Sequence, residues 1–474
     1  MRHIILTIMG TIISGAAMAQ MRHLSLQTCI DMAMKQSPTI RMANKQVERA
    51  QALQGTAWDL EKTELSLSQD PTSGGSPDNA LSVTQSFDFP TVYIARRQQL
   101  KAETQAERSR LEMEQKNVEA AVASAYFQLV YQEQCLRNLR RQDSIMTRYR
   151  TVVRQRMEAG ETGRRELINA ERLQRENQLD IVKAENEAEN ARLQLMQVIG
   201  TDEPITAADE LLTPIEFVLP AYNYQQTPEG RFSNDKLQAA ERQVKVEKSG
   251  YAPSLSLSLR NQMVISSWNP YNEDRSRYDG GNFMGFEVGV GIPLFYGATK
   301  ARVKAAKAER EQLQIQIQQE AQQRESQYNA LLSRCNAARQ RVEYYAENGC
   351  QWNDEMVRLA TAEYEQGEIG YVEYVGILKD EIDVYQKRAE AINEYNQTVI
   401  ELQRLCGTPM IQEQIREQGY KNIIKRGFLF WSFEKNTIPL QNTPNQKTYE
   451  TAEDQHIHHQ PRERISREVL AGNR

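Results

Sequence analysis

A short glycine turn occurs twice in this chain, and each copy breaks a long helical pattern. The first is Ala159-Gly160-Glu161-Thr162-Gly163, followed by Glu166-Leu167-Ile168. The second is Gln366-Gly367-Glu368-Ile369-Gly370, followed by Glu373-Tyr374-Val375. Two glycines three apart let a helix stop, turn and restart at little steric cost. The copies keep a constant offset well past the turn: Ile199-Gly200-Thr201 closes the first helical run and Cys406-Gly407-Thr408 the second. A fixed offset over such a distance marks an internal repeat. The unit is far too long for a solenoid, so the chain is a duplicated half-protein.

Around each turn the hydrophobic period is helical. Val118, Val122, Ala125 and Leu129, then Leu136 and Leu139, hold four-three spacing, with Gln132 in the gap. This predicts one continuous helix from Val92 to Glu158, about 100 Å long at 1.5 Å per residue. Ala184, Ala188, Ala191, Leu195 and Val198 keep the same spacing on the way back to Gly200. The two runs therefore form an antiparallel helical hairpin with the glycine turn at its tip. In the second copy Ala301 to Gln366 is the outward helix, and Ala391, Tyr395, Thr398, Leu402 and Leu405 mark the return. Charged residues make up 26% of the chain, which with the tracts of Gln, Glu, Arg and Ala is the composition of long helices and coiled coils.

Ahead of each hairpin the period switches. A near-heptad stripe from Thr28 to Ala57, restarted at Ser37-Pro38, predicts helix. Then Thr63 to Gln69 and Leu81 to Phe87 alternate apolar and polar residues around a loop from Asp70 to Asp78, which is a strand pair. In the second copy Asp235 to Gly250 is a helix and Ser254-Leu255-Ser256-Leu257-Ser258-Leu259 is a strand. A polar loop follows from Asn261 to Phe283, with Trp268, Tyr271 and Tyr278, and Phe286 to Ile292 returns as a strand. Strands with one apolar and one Ser/Thr/Gln face fit a lipid-out, water-in barrel, and equally a soluble hairpin beside the helices.

The ends and the chemistry bound the rest. Residues 1–19 read as a secretory signal: Arg2 and His3, an apolar core from Ile4 to Ile13, and Ala17-Met18-Ala19 before the cut. No later run of 18 apolar residues could make a membrane helix. Cys29, Cys135, Cys335, Cys350 and Cys406 are odd in number and irregular in spacing, neither a disulfide framework nor a zinc pattern, and read as small buried hydrophobes. No catalytic triad, phosphate loop or metal motif occurs, so no catalytic residue, cofactor or metal site is assigned. The net charge of −5 and the lack of a basic stripe exclude nucleic acid as a partner. The resulting division is a first repeat over 20–200, a connector over 201–234 with four prolines, a second repeat over 235–408, and a tail over 409–474. The tail carries Phe428-Leu429-Phe430-Trp431 and then a polar stretch, with His456, His458 and His459, that reads as disordered.

Signal peptide, duplicated helix–hairpin–helix units, four strands and glycine-tipped hairpins together resemble the TolC family of outer-membrane efflux proteins, over about residues 24–410. The most specific match is Tyr364-Glu365-Gln366-Gly367-Glu368-Ile369-Gly370 with Glu373-Tyr374-Val375. The resemblance implies a mainly α chain with a small β part. Long antiparallel coiled-coil hairpins and four transmembrane strands per chain build a homotrimeric 12-strand β-barrel on an α-helical periplasmic tube. Four strands alone cannot close a barrel, and an open edge in lipid is forbidden. It also implies the function: the exit duct of a tripartite efflux or type I secretion system. Such a duct passively conducts substrates from a periplasmic adaptor protein and an inner-membrane pump across the outer membrane, in contact with its lipid. The competing reading is a structural periplasmic coiled-coil protein with no pore. By resemblance Glu373, with Glu166 as its first-copy counterpart, lines a periplasmic gate, and Tyr364 hydrogen-bonds the acid of the second copy. Gly160, Gly163, Gly367 and Gly370 form tips that dock the adaptor. The chain departs from the family pattern at Gly376, where a second acid often stands, and at Ile369, where a basic residue often stands; Arg164 and Arg165 are the nearest basic substitutes. Without the family register, Glu166 and Glu373 read as solvated helix positions.

Overall fold

The computed structural model describes residues 22–71, 77–218, 221–264 and 282–409. The stretch read as a signal over 1–19, Trp268, Tyr271, Tyr278 and the aromatic and histidine residues of the tail lie outside them. In chain order the elements are β1 (Arg22–Leu24), α1 (Leu26–Gln36), α2 (Pro38–Leu53), β2 (Glu64–Pro71), β3 (Pro77–Asp88), α3 (Pro90–Glu158) and α4 (Arg164–Ile199). Then come β4 (Ile205–Ala207), α5 (Pro228–Ser249), β5 (Ser254–Val264), β6 (Asn282–Gly291), α6 (Gly297–Tyr344), α7 (Cys350–Gln366) and α8 (Tyr371–Cys406).

The single 69-residue helix α3 is the spine. Toward the strands it lies between α2 and α5, and α5 in turn packs on α6; toward the turns it lies between α4 and α8. The alternation of small and large residues explains the contact. Ala184, Ala188, Ala191 and Leu195 of α4 are buried, as expected, and Ala191 and Leu195 share one core with Val118, Val122 and Leu129 of α3. On α8 the whole return stripe of Ala391, Tyr395, Thr398, Leu402 and Leu405 is buried. Small side chains let helix axes approach, and each buried Leu or Val contributes roughly 1.5–3 kcal/mol of transfer free energy.

The structure corrects the sequence reading at four places. The helix of the second repeat begins at Pro228, not Asp235; Thr227 caps it by accepting from the Gly230 amide, and proline suits a first helical turn. Its start is fixed by packing: a Cβ on Gly407 would lie 2.3 Å from Cδ of Pro228, and one on Gly200 would lie 3.0 Å from Cδ of Pro38. Each closing glycine thus seats on the proline that opens an inner helix of its own repeat. The second outward helix is not continuous. A π-helical turn at Tyr345–Gly349 separates α6 from α7, and a Cβ on Gly349 would come within 3.0 Å of the rings of Tyr344 and Tyr345.

The connector is not wholly irregular, the third difference. Its strand β4 pairs in parallel with β1, Leu24 opposite Ala207. Fully buried Asn396 donates to the Thr213 carbonyl and accepts from the Ile215 amide, while Tyr126 donates to Asp209 at 2.8 Å. A buried amide with both ends satisfied fixes one register, so the connector is clamped onto α3 and α8. Last, the strands run further than alternation shows, through Pro71 and Val264 on one side of the loops and from Pro77 and Asn282 on the other. Polar residues near loops hide the ends of such strands.

The strand order is β2-β3-β5-β6, all neighbours antiparallel. The two hairpins of the duplicated unit therefore join through β3 and β5 into one sheet, with β2 and β6 as free edges. Of the cysteines, all are unpaired; Cys29, Cys135 and Cys335 are buried, Cys350 and Cys406 half-buried, and burial pushes the Cys29 thiol up to about 11.

Candidate functional site

Two regions carry function-grade geometry: the paired hairpin tips and the faces of the sheet. At the tips the two glycines of each turn do different work. Gly160 (φ 77°) and Gly367 (φ 78°) are left-handed residues that end α3 and α7. Around them the amides of Gly160 and Glu161 return to the Met157 and Arg156 carbonyls, and those of Gly367 and Glu368 to Tyr364 and Glu363. This satisfies carbonyls that a helix end leaves unpaired. Gly163 (φ −91°, ψ 156°) and Gly370 (φ −74°, ψ 154°) are extended N-caps of α4 and α8, a conformation open to any residue. All four are exposed, and an added Cβ would meet nothing within 4 Å.

Glu166 and Glu373 occupy the same place in each copy, the first turn of the returning helix, where a carboxylate is favoured by the helix dipole. Glu166 is half-buried and accepts a hydrogen bond from the Thr162 hydroxyl. Glu373 is exposed. Tyr364 does not hydrogen-bond Glu373 within this chain. Its ring stacks on Tyr374 at 4.9 Å and 2° and tilts against Tyr371 at 5.5 Å, because Tyr374, one residue beyond the acid, turns inward.

Tyr371 reaches on to Tyr149 of α3 at 5.8 Å. Together with Met146, Val153, Ala170 and Val375 these rings form one core that joins the tips of both hairpins. Burial, followed by the Glu166 carboxylate, raises the Tyr149 phenol above its ordinary pKa, and burial raises Tyr371. Both rings stay neutral at physiological pH. Farther from the tips Arg141 of α3 reaches Glu381 of α8 at 2.7 Å, with the Glu381 side chain 8% exposed and that of Arg141 58%. Sequence reasoning singled out neither this pair nor Tyr149 and Tyr371; the seven-residue step from Tyr364 to Tyr371 and on to Tyr374 was the available signal.

At the other end the register places Leu65, Leu67, Leu81, Val83, Phe87, Leu255, Leu257, Leu259, Met284, Phe286, Val288 and Val290 on one face. Leu65 pairs with Val83, Val83 with Leu259, and Leu259 with Phe286. On the other face Ser66, Ser82, Thr84, Ser256 and Ser258 alternate with Gly285, Gly289 and Gly291, and Thr84 and Ser258 hydroxyls bond at 2.9 Å. The apolar face is bare: Leu67 is 74% exposed and Phe286 79%. Among the described residues no helix is long and apolar enough to cross a membrane and no metal-binding group occurs. A polar cleft of about 470 Å³ is lined by Gln98, Lys101, Arg108 and Arg242, with no acid–base pair.

Comparison with known proteins agrees with this geometry. Residues 29–201 and 233–408 match the model of the outer membrane efflux protein family, one segment per repeat. No protein of curated function matches the chain in sequence. Among solved structures it is similar to CusC, studied for transmembrane channel formation (17% identity, 84% of this chain, 96% of that one, TM-score 0.66). It is likewise similar to the CmeC outer membrane channel of Campylobacter jejuni (16% identity, 82% and 87%, TM-score 0.67). A third is the MtrE outer membrane channel of Neisseria gonorrhoeae in its open state (17%, 81% and 89%, TM-score 0.64).

Proposed function

We propose, from the premise that this chain belongs to the outer membrane efflux protein family, a passive trimeric duct gated at its paired hairpin tips. Its place is the outer membrane, with the helices in the periplasm, and its role is efflux through a channel. The observation that carries the trimer is the sheet: four strands, two free edges and one bare apolar face. Unpaired edge amides cannot stand in hydrocarbon. Joining β6 of one chain to β2 of the next in three copies gives twelve strands and no edge, with Ser, Thr and Gly toward water.

The gate follows from the same symmetry. Three Glu373 carboxylates, with three Glu166 behind them, would face one another around the axis and favour cations. Gly376 leaves this ring single. The tyrosine core welds the two hairpin tips of each chain, so opening moves both hairpins together. Gly163 and Gly370, which no backbone strain requires, support a docking role for the tips toward a periplasmic adaptor that couples the duct to an inner-membrane pump.

The test is single-channel recording in planar bilayers. Glu166→Ala with Glu373→Ala raises conductance and weakens block by divalent cations. Unchanged conductance and block would remove these acids from the gate. A monomer stable in detergent-free buffer would end the trimeric barrel itself.

A further inference from the structure

All four strands meet the helices at the same end of the sheet, and the chain there is layered. The bare apolar face comes first. Next stand exposed aromatic residues: Trp58, Tyr251, Tyr296 and Phe295, the last 93% exposed. Trp58 stacks on Tyr93 at 5.3 Å, and Tyr251 rests against Tyr296 at 5.7 Å. Rings of this amphipathic kind sit at membrane–water boundaries.

Just beyond lie the first turns of the two outgoing helices. Residues 89–101 carry Arg96, Arg97 and Lys101 and no Asp or Glu. Residues 292–307 carry Lys300, Arg302, Lys304 and Lys307, again with no Asp or Glu. The whole chain, by contrast, is net negative at −5. Both copies of the repeat thus place pure positive charge at the same level. Arg96 is paired with Asp88 at 3.3 Å and Arg302 with Glu247 at 3.7 Å. Arg97, Lys101, Lys300, Lys304 and Lys307 are exposed and have no carboxylate partner among the described residues. The two segments that enter the sheet are mixed, with Asp59, Glu61 and Lys62 before β2, and Arg242, Lys245 and Lys248 beside Glu241 and Glu247 before β5.

The depth fits a headgroup layer. Lys101 and Lys307 are ten or eleven residues into their helices, about 15–17 Å from the sheet at 1.5 Å per residue. The headgroup zone occupies roughly 5–8 Å per leaflet, and the Debye length adds about 8 Å; long side chains extend back toward it. Ile94, Arg97 and Lys101 share one stripe of α3 at i, i+3 and i+7, and all three are exposed on this chain.

We infer that Arg97, Lys101, Lys300, Lys304 and Lys307 form a basic collar that binds the anionic phosphate headgroups of the periplasmic leaflet. Three chains repeat the collar around the tube and hold the barrel at a fixed depth. The inference rests on the membrane placement of the sheet. Its test reconstitutes the full chain into vesicles of phosphatidylcholine with about one third phosphatidylglycerol and extracts the lipid that remains after detergent purification. Each basic residue near an anionic surface is worth roughly a five-fold gain in affinity, so phosphatidylglycerol is enriched several-fold over the bulk. Substituting Arg97, Lys101, Lys300, Lys304 and Lys307 together by Gln brings enrichment to about one, and so does high salt on the unchanged protein, while millimolar inorganic phosphate does not.

Wild-type protein that inserts and conducts without enrichment overturns the collar and leaves the channel intact. A variant that keeps its lipid but changes the ion selectivity of the pore puts the charges in the lumen and also overturns it. Failure of the wild type to insert in any vesicle removes the membrane placement, and the collar with it.

Discussion

Serine substitution at the two kinds of tip glycine separates folding from docking. Serine at Gly160 or Gly367 must hold a positive φ of 77° or 78°, which costs about 1–2 kcal/mol per site for a residue with a Cβ. Serine at Gly163 or Gly370 meets no such strain: the backbone is extended, nothing lies within 4 Å, and the position is an N-cap without a side-chain cap. Serine caps better than glycine and narrows the unfolded ensemble, so the fold gains about 0.5–1 kcal/mol. Thermal denaturation of the detergent-solubilised protein reads both effects, roughly 2 °C per kcal/mol for a chain of this size. Gly160→Ser and Gly367→Ser lower the midpoint; Gly163→Ser and Gly370→Ser leave it unchanged or raise it. Cross-linking to the periplasmic adaptor in cells then gives the opposite ranking: the stable Gly163→Ser, Gly370→Ser double variant loses assembly, because its surface and not its fold has changed. Equal destabilisation at both kinds of glycine would refute the backbone argument. Full cross-linking by the stable double variant would refute docking through these residues.

Other outcomes follow from single contacts. Arg141→Met leaves the Glu381 carboxylate buried and unpaired and costs about 3 kcal/mol, whereas Glu381→Gln leaves an already solvated guanidinium and costs about 1 kcal/mol; urea denaturation of each variant checks this order. Val288→Arg on the bare sheet face costs about 2–4 kcal/mol if that face meets hydrocarbon, read as lost insertion into vesicles, while Ser256→Arg on the opposite face inserts normally and shifts conductance. Burial works against the charge of Glu320, but hydrogen bonds from Gln316, Tyr224 and Ser233 outweigh it and hold the carboxyl below its usual range. That stabilisation is present above the unfolded value and lost as pH falls through the folded one, so the melting point of Glu320→Gln is flatter between about pH 5 and 3 than that of the unchanged protein. Cys29, with its thiol pushed up to about 11 and no exposed surface, resists alkylation at pH 8 until denaturant is added.

The duplication, the four strands, the helical hairpins and the glycine tips were all legible in one dimension, because each is a local or periodic property. Glycine spacing reports backbone conformation, a period of two reports a sheet with unlike faces, and four-three spacing reports a helix seam. The equivalent placement of Glu166 and Glu373, each in the first turn after its glycine tip, was legible for the same reason. The tyrosine core, the Arg141–Glu381 pair and the clamp of Asn396 on the connector were not, since each joins segments far apart in the chain and leaves no periodic trace. The π turn at Tyr345–Gly349 escaped as well: it changes the helix by one residue without changing its composition. Which strand neighbours which, and hence which edges stay free, was decided only when β3 met β5 in space. Local patterning specifies what each segment can become, and only three-dimensional packing selects which surfaces are left bare for lipid and for other chains.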